Sequence, residues 1–421
     1  MRGSTKDQGF SLIELLVATA VFLIVIAIAM SVIKLGQFDL NTNINVNEVQ
    51  LYANAAMKFM GRDITNSGQG YLQGSPNGNV NGPLISVDAF RNVTGINLPG
   101  PNSSPNSQPL TSLVPYSRVD NLGNGTNSDA GSSDRLTVAY QDEFFAAESY
   151  TITNATTGVQ ISNTFFPLLR GTWQSTSTSK FFILSPSSTT VDPSNSNQNI
   201  TISYDISTLR PGDLLIINYS QAVPSTTPTP IMAMVTQING NTISFGTEPI
   251  GFNRFSAQLP LDSNGNPDQT LIFPLNRIQN GSDVTVTRIK LYTYLVDVNS
   301  HDLIRRRYTY PNSGLLGDAF INDPICQNAE RLWFTYNRLV PAVPPAVIPT
   351  FTDDISEINP STDINQVVNS LLPNLQSIRR VNITLIIRST EIDRRNRRPA
   401  QFGIQGSFAP RNISYTNQTT S

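Results

Sequence analysis

One carboxylate in an otherwise apolar run is the residue with the most chemistry to explain. Glu14 stands in QGFSLIELLVATAVFLIVIAIAM, residues 8–30, and no other ionisable side chain occurs between it and Lys34. An ionised carboxylate at the centre of a membrane-spanning helix costs about 2.5–3.5 kcal/mol, and less towards an end. Glu14 therefore needs either a place at the membrane edge or a cation. If the chain is cut between Gly9 and Phe10, the new α-amine of Phe10 is that cation, because an α-amine is protonated near neutral pH. Helices packed side by side with a stagger would set the amine of one subunit beside Glu14 of the next. The matching stagger pairs both charges, and a wrong one leaves both unpaired in a dry bundle. On this reading Glu14 sets the assembly register.

Two simpler readings compete for the same segment. A cleaved secretory signal has an apolar region of about 7–15 residues ending in small residues. The apolar run here is longer, and its one A-x-A, Ala18-Thr19-Ala20, lies in mid-run. A plain membrane anchor explains the length, since Phe10 to Ile33 would make about 36 Å of helix. Arg2 and Lys6 before the run place the N-terminus in the cytoplasm and the chain after Lys34 outside. The anchor alone leaves Glu14 as a tolerated edge charge.

Other residue clusters carry weaker signals. LDSNGNPD offers Asp262, Asn264, Asn266 and Asp268 at alternate positions, the spacing calcium loops use to aim oxygens at one point. Pro267 occupies the usual glycine place and Phe273 that of the bidentate glutamate, so an Asn/Gly hairpin turn is preferred, with calcium the weaker alternative. Otherwise no cofactor is expected. Arg394, Arg395, Arg397 and Arg398, with Arg305 to Arg307, match phosphate-contacting arginines in type. Solvated loops and strand ends paired to carboxylates explain them more simply, and nucleic acid is not expected as a partner. The single histidine, His301, reads as a turn residue, and the single cysteine, Cys326, cannot form an intrachain disulfide. Asp142-Glu143 and Asp353-Asp354 are adjacent pairs, whose neighbours point to opposite faces in a strand, so neither is an acid/base dyad. No nucleophile–base pair can be named, and the chain is read as no enzyme.

Taken together, Gly9, Phe10, Glu14 and the run that follows resemble the N-terminal motif of type IV prepilins and type II secretion pseudopilins. The resemblance implies a basic leader, residues 1–9, removed by prepilin peptidase on the cytosolic side. It also implies N-methylation of Phe10 and an assembly role for Glu14. RPGDLLIINYSQ, MAMVTQINGNTISF, YLVDVNSHDLIRRRYTY, RLWFTYN, SIRRVNITLIIRST and SFAPRNISY are similar, more loosely, to PilW-type minor pilins and J-type pseudopilins. The single cysteine, and the absence of proline before Pro76, depart from many major pilins.

These residues need a scaffold. Val46, Val49, Ala53, Ala56, Met60 and Ile64 recur at steps of three and four. A helix is therefore expected from Phe10 to about Ile64, roughly 80 Å long. Residues 10–33 form its transmembrane half and 34–66 its amphipathic half, with a kink at Gly36 or none. Residues 67–133 are dense in Gly, Pro, Asn and Ser and read as loop, with a short strand at Leu84 to Val87. Residues 134–421 read as a β-rich globular domain carrying a Pro-rich insert, 339–378, with a short helix near Asp363 to Leu372. Expected strands are 135–140, 180–184, 213–218, 231–236, 285–296, 332–336 and 381–388, with a hairpin at Asn239-Gly240. The fold class is α+β: a long helix packed on a large, mainly antiparallel β domain. Only 14% of residues are charged and the net charge is -2, against about 25% charged in typical soluble domains. This suits an extracytoplasmic protein.

The expected function is that of a structural minor subunit of a type IV pilus-like filament, in its initiation or tip complex. Its partners would be other pilins or pseudopilins, prepilin peptidase, the assembly platform in the inner membrane, and membrane lipid before assembly. Expected localisation is the inner membrane, single-pass with a cytoplasmic N-terminus, then the periplasm or surface pilus. Alternatives are a type II secretion pseudopilin and a membrane-anchored adhesin or carbohydrate-binding module whose 66–133 loops hold a ligand.

Overall fold

The computed structural model describes residues 11–69, 82–96, 106–119, 133–145, 147–176, 179–223, 228–256, 271–297, 299–311, 313–340, 350–352, 378–393 and 398–410. The leader with Gly9 and Phe10, the Asp262–Asp268 loop, Asp353-Asp354, most of the Pro-rich insert with its expected helix, and Arg394 to Arg397 lie outside the described residues. The chain forms two compact units: residues 1–52 with 388–402, and residues 53–387 with 403–421.

Helix α1 is Leu12–Asn66 and runs without interruption through Gly36. Its start is fixed by a capping box. Ser11 Oγ accepts from Glu14 N at 3.4 Å, and Glu14 Oε2 accepts from Ser11 N at 3.0 Å. Residues 11–40 are all exposed. In the second unit the expected stripe is buried: Ala53, Ala56, Met60 and Ile64 are fully covered, with Met57 beside them. The alanines and Gly61 allow close approach. A Cβ at Gly61 would lie 2.1 Å from the Phe408 ring.

In chain order the remaining elements are β1 (Leu84–Ser86), α2 (Val87–Thr94), β2 (Ser107–Pro109), β3 (Leu113–Val119) and β4 (Ser133–Gln141). β5 (Glu148–Asn154), β6 (Gln160–Phe166), β7 (Leu169–Ser175), β8 (Lys180–Leu184), β9 (Ser188–Asp192) and β10 (Asn195–Tyr204) follow. Then come β11 (Leu214–Tyr219), β12 (Ile231–Met234), β13 (Gln237–Asn239), β14 (Thr242–Ser244), β15 (Asp283–Val296), β16 (Leu303–Tyr308) and β17 (Phe320–Cys326). The last are β18 (Ala329–Val340), β19 (Thr350–Thr352), β20 (Ile378–Asp393) and β21 (Arg398–Phe408). A mostly antiparallel sheet of 13 strands is organised on β15. The first half of β15 pairs with β7 and β11, its second half with β4 and β16. The order β6-β5-β10-β9 forms a second sheet and β19-β18-β20-β21 a third. The α+β class is thus observed, and strands occur at every expected site.

β11 shows why its sequence is a continuous apolar run. Leu214 and Ile216 enter one core with Phe90 of α2 and Phe252, while Leu215 and Ile217 enter a second with Trp173, Phe182 and Phe245. A central strand covered on both faces loses its polar alternation. The Asn239-Gly240 hairpin forms, with Asn239 opposite Thr242 and Gly240 at φ +55°.

Residues 67–133 correct an expectation. They hold more than loop and one strand: β1 leads directly into α2, and β2 and β3 follow. Ser86 Oγ caps α2 by accepting from Ala89 N at 3.1 Å, and Gly95, left-handed at φ +81°, ends it. Val87, Phe90 and Val93 bury its inner face.

Candidate functional site

The segment singled out by its lone carboxylate is a helix end with a wholly exposed apolar surface. Thr19 Oγ1 donates to Leu15 O at 3.0 Å and Leu16 O at 2.9 Å, and Ser31 Oγ to Ile28 O at 2.7 Å. These hydroxyls bond their own helix, as they must where water is absent. Leu12, Ile13, Leu16, Phe22, Leu23 and Ile28 are each more than half exposed. It is the one helix among the described residues long and apolar enough to cross a membrane. Glu14 is exposed, and among the described residues its carboxylate accepts only from the Ser11 amide. That capping box is legible in the sequence as Ser-x-x-Glu, beneath the more conspicuous signal of the charge itself.

A second carboxylate of α1 was missed altogether. Asp63 is fully buried in the β-rich unit. Its Oδ1 accepts from Tyr140 Oη at 2.9 Å and its Oδ2 from Tyr294 Oη at 2.6 Å. Arg305 Nη1 stands 3.5 Å from Oδ2, and Arg62 Nε 3.3 Å from Oδ1. Arg305 also lies over the Tyr292 ring, 4.4 Å from its centroid. Burial first, and the Asp63 carboxylate next, push the Tyr140 and Tyr294 phenols far above their ordinary range. The signal was present: Asp63 is three residues past Met60 and seven past Ala56, on the helix face that is otherwise apolar.

The remaining candidates resolve as follows. Arg306 Nε donates to Asn322 Oδ1 at 2.9 Å and Arg307 Nε to Asp323 Oδ2 at 3.0 Å, so Arg305 to Arg307 are tied to protein partners. Asp142 is gripped by Arg288 at 2.7 Å and Lys290 at 2.8 Å. Burial raises its pKa, but the two cations outweigh that and hold the carboxyl below its usual value. Glu143 bonds Gln69 instead, so the pair is no dyad. His301 sits exposed at φ +55° in the turn between β15 and β16, its N–H donating to Asp297 O at 2.9 Å. Cys326 is a buried free thiol, pushed up by burial to about 12. Among the described residues no cluster of three or more His, Cys, Asp or Glu is arranged to hold a metal.

In comparison with known proteins, residues 4–30 fit the family model described as "Prokaryotic N-terminal methylation motif". No curated protein and no solved structure matches the chain. The matched segment contains Gly9, Phe10 and Glu14, and supports a type IV pilin-like or pseudopilin protein. With its apolar helix, the motif fits a membrane-anchored protein processed by prepilin peptidase and assembled with other pilins.

Proposed function

We propose that this chain is a non-enzymatic minor subunit of a type IV pilus-like filament, of PilW type, working in the initiation or tip complex. The observation that carries the reading is the helix start. A methylation-motif segment runs into a helix whose residues 11–40 are all exposed and whose stretch 15–33 is nearly all apolar, with one carboxylate near its tip. Such a surface has to be covered by lipid or by other helices. The precursor lies in the inner membrane with residues 1–9 in the cytoplasm. Cleavage after Gly9 and methylation of Phe10 make an amine that pairs with Glu14 of a neighbouring subunit. The β-rich unit faces the periplasm or the filament tip. Its size favours a minor position, because a subunit of 46.1 kDa would crowd a filament built mainly of itself.

Mass spectrometry of the mature protein tests the processing step. A chain starting at N-methyl-Phe10 is expected, and a chain still starting at Met1 rejects the proposal. A type II secretion pseudopilin would share this chemistry. Recovery of the protein in sheared surface filaments separates the two, since a pseudopilin stays with the envelope.

A further inference from the structure

The large sheet carries a groove that the assembly reading does not use. It is open, about 490 Å³ in volume, and lies across β7, β15 and β11. Arg170, Thr285 and Asn218 form one rung, because Thr285 is opposite both of the others in register. Directly paired residues on neighbouring strands share a face. Asp283, Ser220 and Ser185 also line it, together with Gly171, Tyr219 and Val284.

Two features distinguish this groove from an ordinary hydrated surface. The first is a buried charge pair at its wall. Arg170 Nε donates to Glu148 Oε2 at 3.1 Å, and the Glu148 side chain is 0% exposed. Glu148 Oε1 is buried with no hydrogen-bond partner, while the two Nη groups of Arg170 have none among the described residues. Burying a carboxylate to hold a half-exposed guanidinium fixes that guanidinium in place. The second feature is the unspent polarity of the rung. The side chains of Asn218, Asp283 and Thr285 make no hydrogen bond among the described residues, although each lines the groove.

The chemistry selects a ligand class. Donors (Arg170 Nη) and acceptors (Asp283) stand beside groups that are both (Asn218, Thr285, Ser185, Ser220), and hydroxyl-rich molecules need that mixture. Glu148 already neutralises Arg170, and Asp283 leaves the groove with negative charge, which disfavours an anion. The three strands are interior to the sheet, so their backbone groups are paired and no peptide strand can add to them. The volume lies within the roughly 300–1,000 Å³ of small-molecule sites. We propose that this groove binds a neutral oligosaccharide through the Arg170–Thr285–Asn218 rung and Asp283. The contact is thereby placed on the sheet rather than in the 66–133 loops. It is independent of how the N-terminal helix assembles, so neither idea falls with the other.

The test uses the full chain in a polyoxyethylene detergent, which carries no sugar headgroup. Immobilised neutral oligosaccharides, sialylated oligosaccharides and extended peptides are offered to it. Retention on one or more neutral oligosaccharides is expected. A calorimetric titration with the retained sugar should then show about tenfold or greater weakening in an Asn218→Ala, Asp283→Ala double variant, with thermal unfolding unchanged. Thr285→Tyr, which fills the groove, provides a second variant and should also abolish binding. Retention on sialylated sugars or peptides only, no retention at all, or binding equal to wild type in a folded variant overturns the proposal.

Discussion

Replacing Asp63 by leucine tests the most buried polar contact of α1. The carboxylate is fully enclosed and receives the hydroxyls of Tyr140 and Tyr294 at 2.9 and 2.6 Å. A leucine fills the space and strands both donors, and each orphaned buried hydroxyl costs about 1–2 kcal/mol. It also takes the counter-charge from Arg305. Breaking a fully buried pair costs about 3–5 kcal/mol, but the Arg305 side chain is 18% exposed and rehydrates in part. About 1–2 kcal/mol is the share that remains. Asp63→Leu should therefore destabilise by about 4 kcal/mol. Asp63→Asn should cost about 1–2 kcal/mol, because its amide oxygen still accepts from one tyrosine and its NH₂ donates to the other. Tyr294→Phe should fall near Asp63→Asn, since it deletes one bond to a charged acceptor. Urea unfolding of the full chain, followed by the fluorescence of Trp173 and Trp333, measures all three against Asp283→Asn, an exposed control. If Asp63→Leu unfolds within about 1 kcal/mol of that control, the energetic reasoning about this cluster is wrong.

Three further outcomes follow from the same contacts. Glu14→Gln keeps the capping box, which accepts either residue, but removes the charge. It should insert in the membrane normally yet fail to enter sheared filaments, and normal piliation would dismiss the register role. The phenols of Tyr140, Tyr292, Tyr294, Tyr308 and Tyr336 are raised above the ordinary 10.0, first by burial. A raised folded-state pKa gives stability that is complete below pH 10 and is lost as pH rises above it. Urea midpoints should be flat through neutrality and fall beyond about pH 10, with the tyrosinate absorbance of these five phenols appearing only on unfolding. Gly61→Ala would gain about 1 kcal/mol in an open helix. Here the new Cβ meets Phe408 at 2.1 Å, so a loss of about 1–3 kcal/mol is expected, relieved by Phe408→Leu.

What was legible in the sequence depended on who covers each residue. α1 and the strands of the large sheet bury whole runs, such as Leu214 to Ile217, and announce themselves. α2 has only eight residues inside a Gly- and Asn-rich segment, and its caps, Ser86 and Gly95, carried the signal that composition obscured. The second sheet was overlooked for a different reason. β6 and β9 are exposed almost throughout, and among the described residues that sheet pairs only with itself. Part of its cohesion comes from hydroxyl contacts, Ser149 to Ser203 at 2.6 Å and Thr189 to Thr201 at 3.0 Å. Its apolar alternation is short, Tyr150 and Ile152 on β5 facing Ile202 and Ile200 on β10, and is diluted by Asn, Ser and Thr. The four partners of β15 span residues 136 to 306. Such long-range pairing is set by packing rather than by any local pattern.

Glu14 and Asp63, two of the four carboxylates of α1, are the same sequence signal with different solutions. Each is one acidic group on a helical face that is otherwise apolar. Asp63 finds its partners within its own chain, in strands 77 and 231 residues away. Glu14 has only the Ser11 amide among the described residues, on a surface of leucine, isoleucine and phenylalanine side chains that water does not tolerate. Lipid would cover that surface at any rotation or stagger of the helix and would give Glu14 nothing. A neighbouring helix tipped with a cation covers the same surface at one stagger only, because every other stagger leaves two charges buried and unpaired. On the proposed reading the carboxylate would add little to the attraction between helices and would instead penalise every arrangement but one, which an ordered filament requires and a membrane anchor does not.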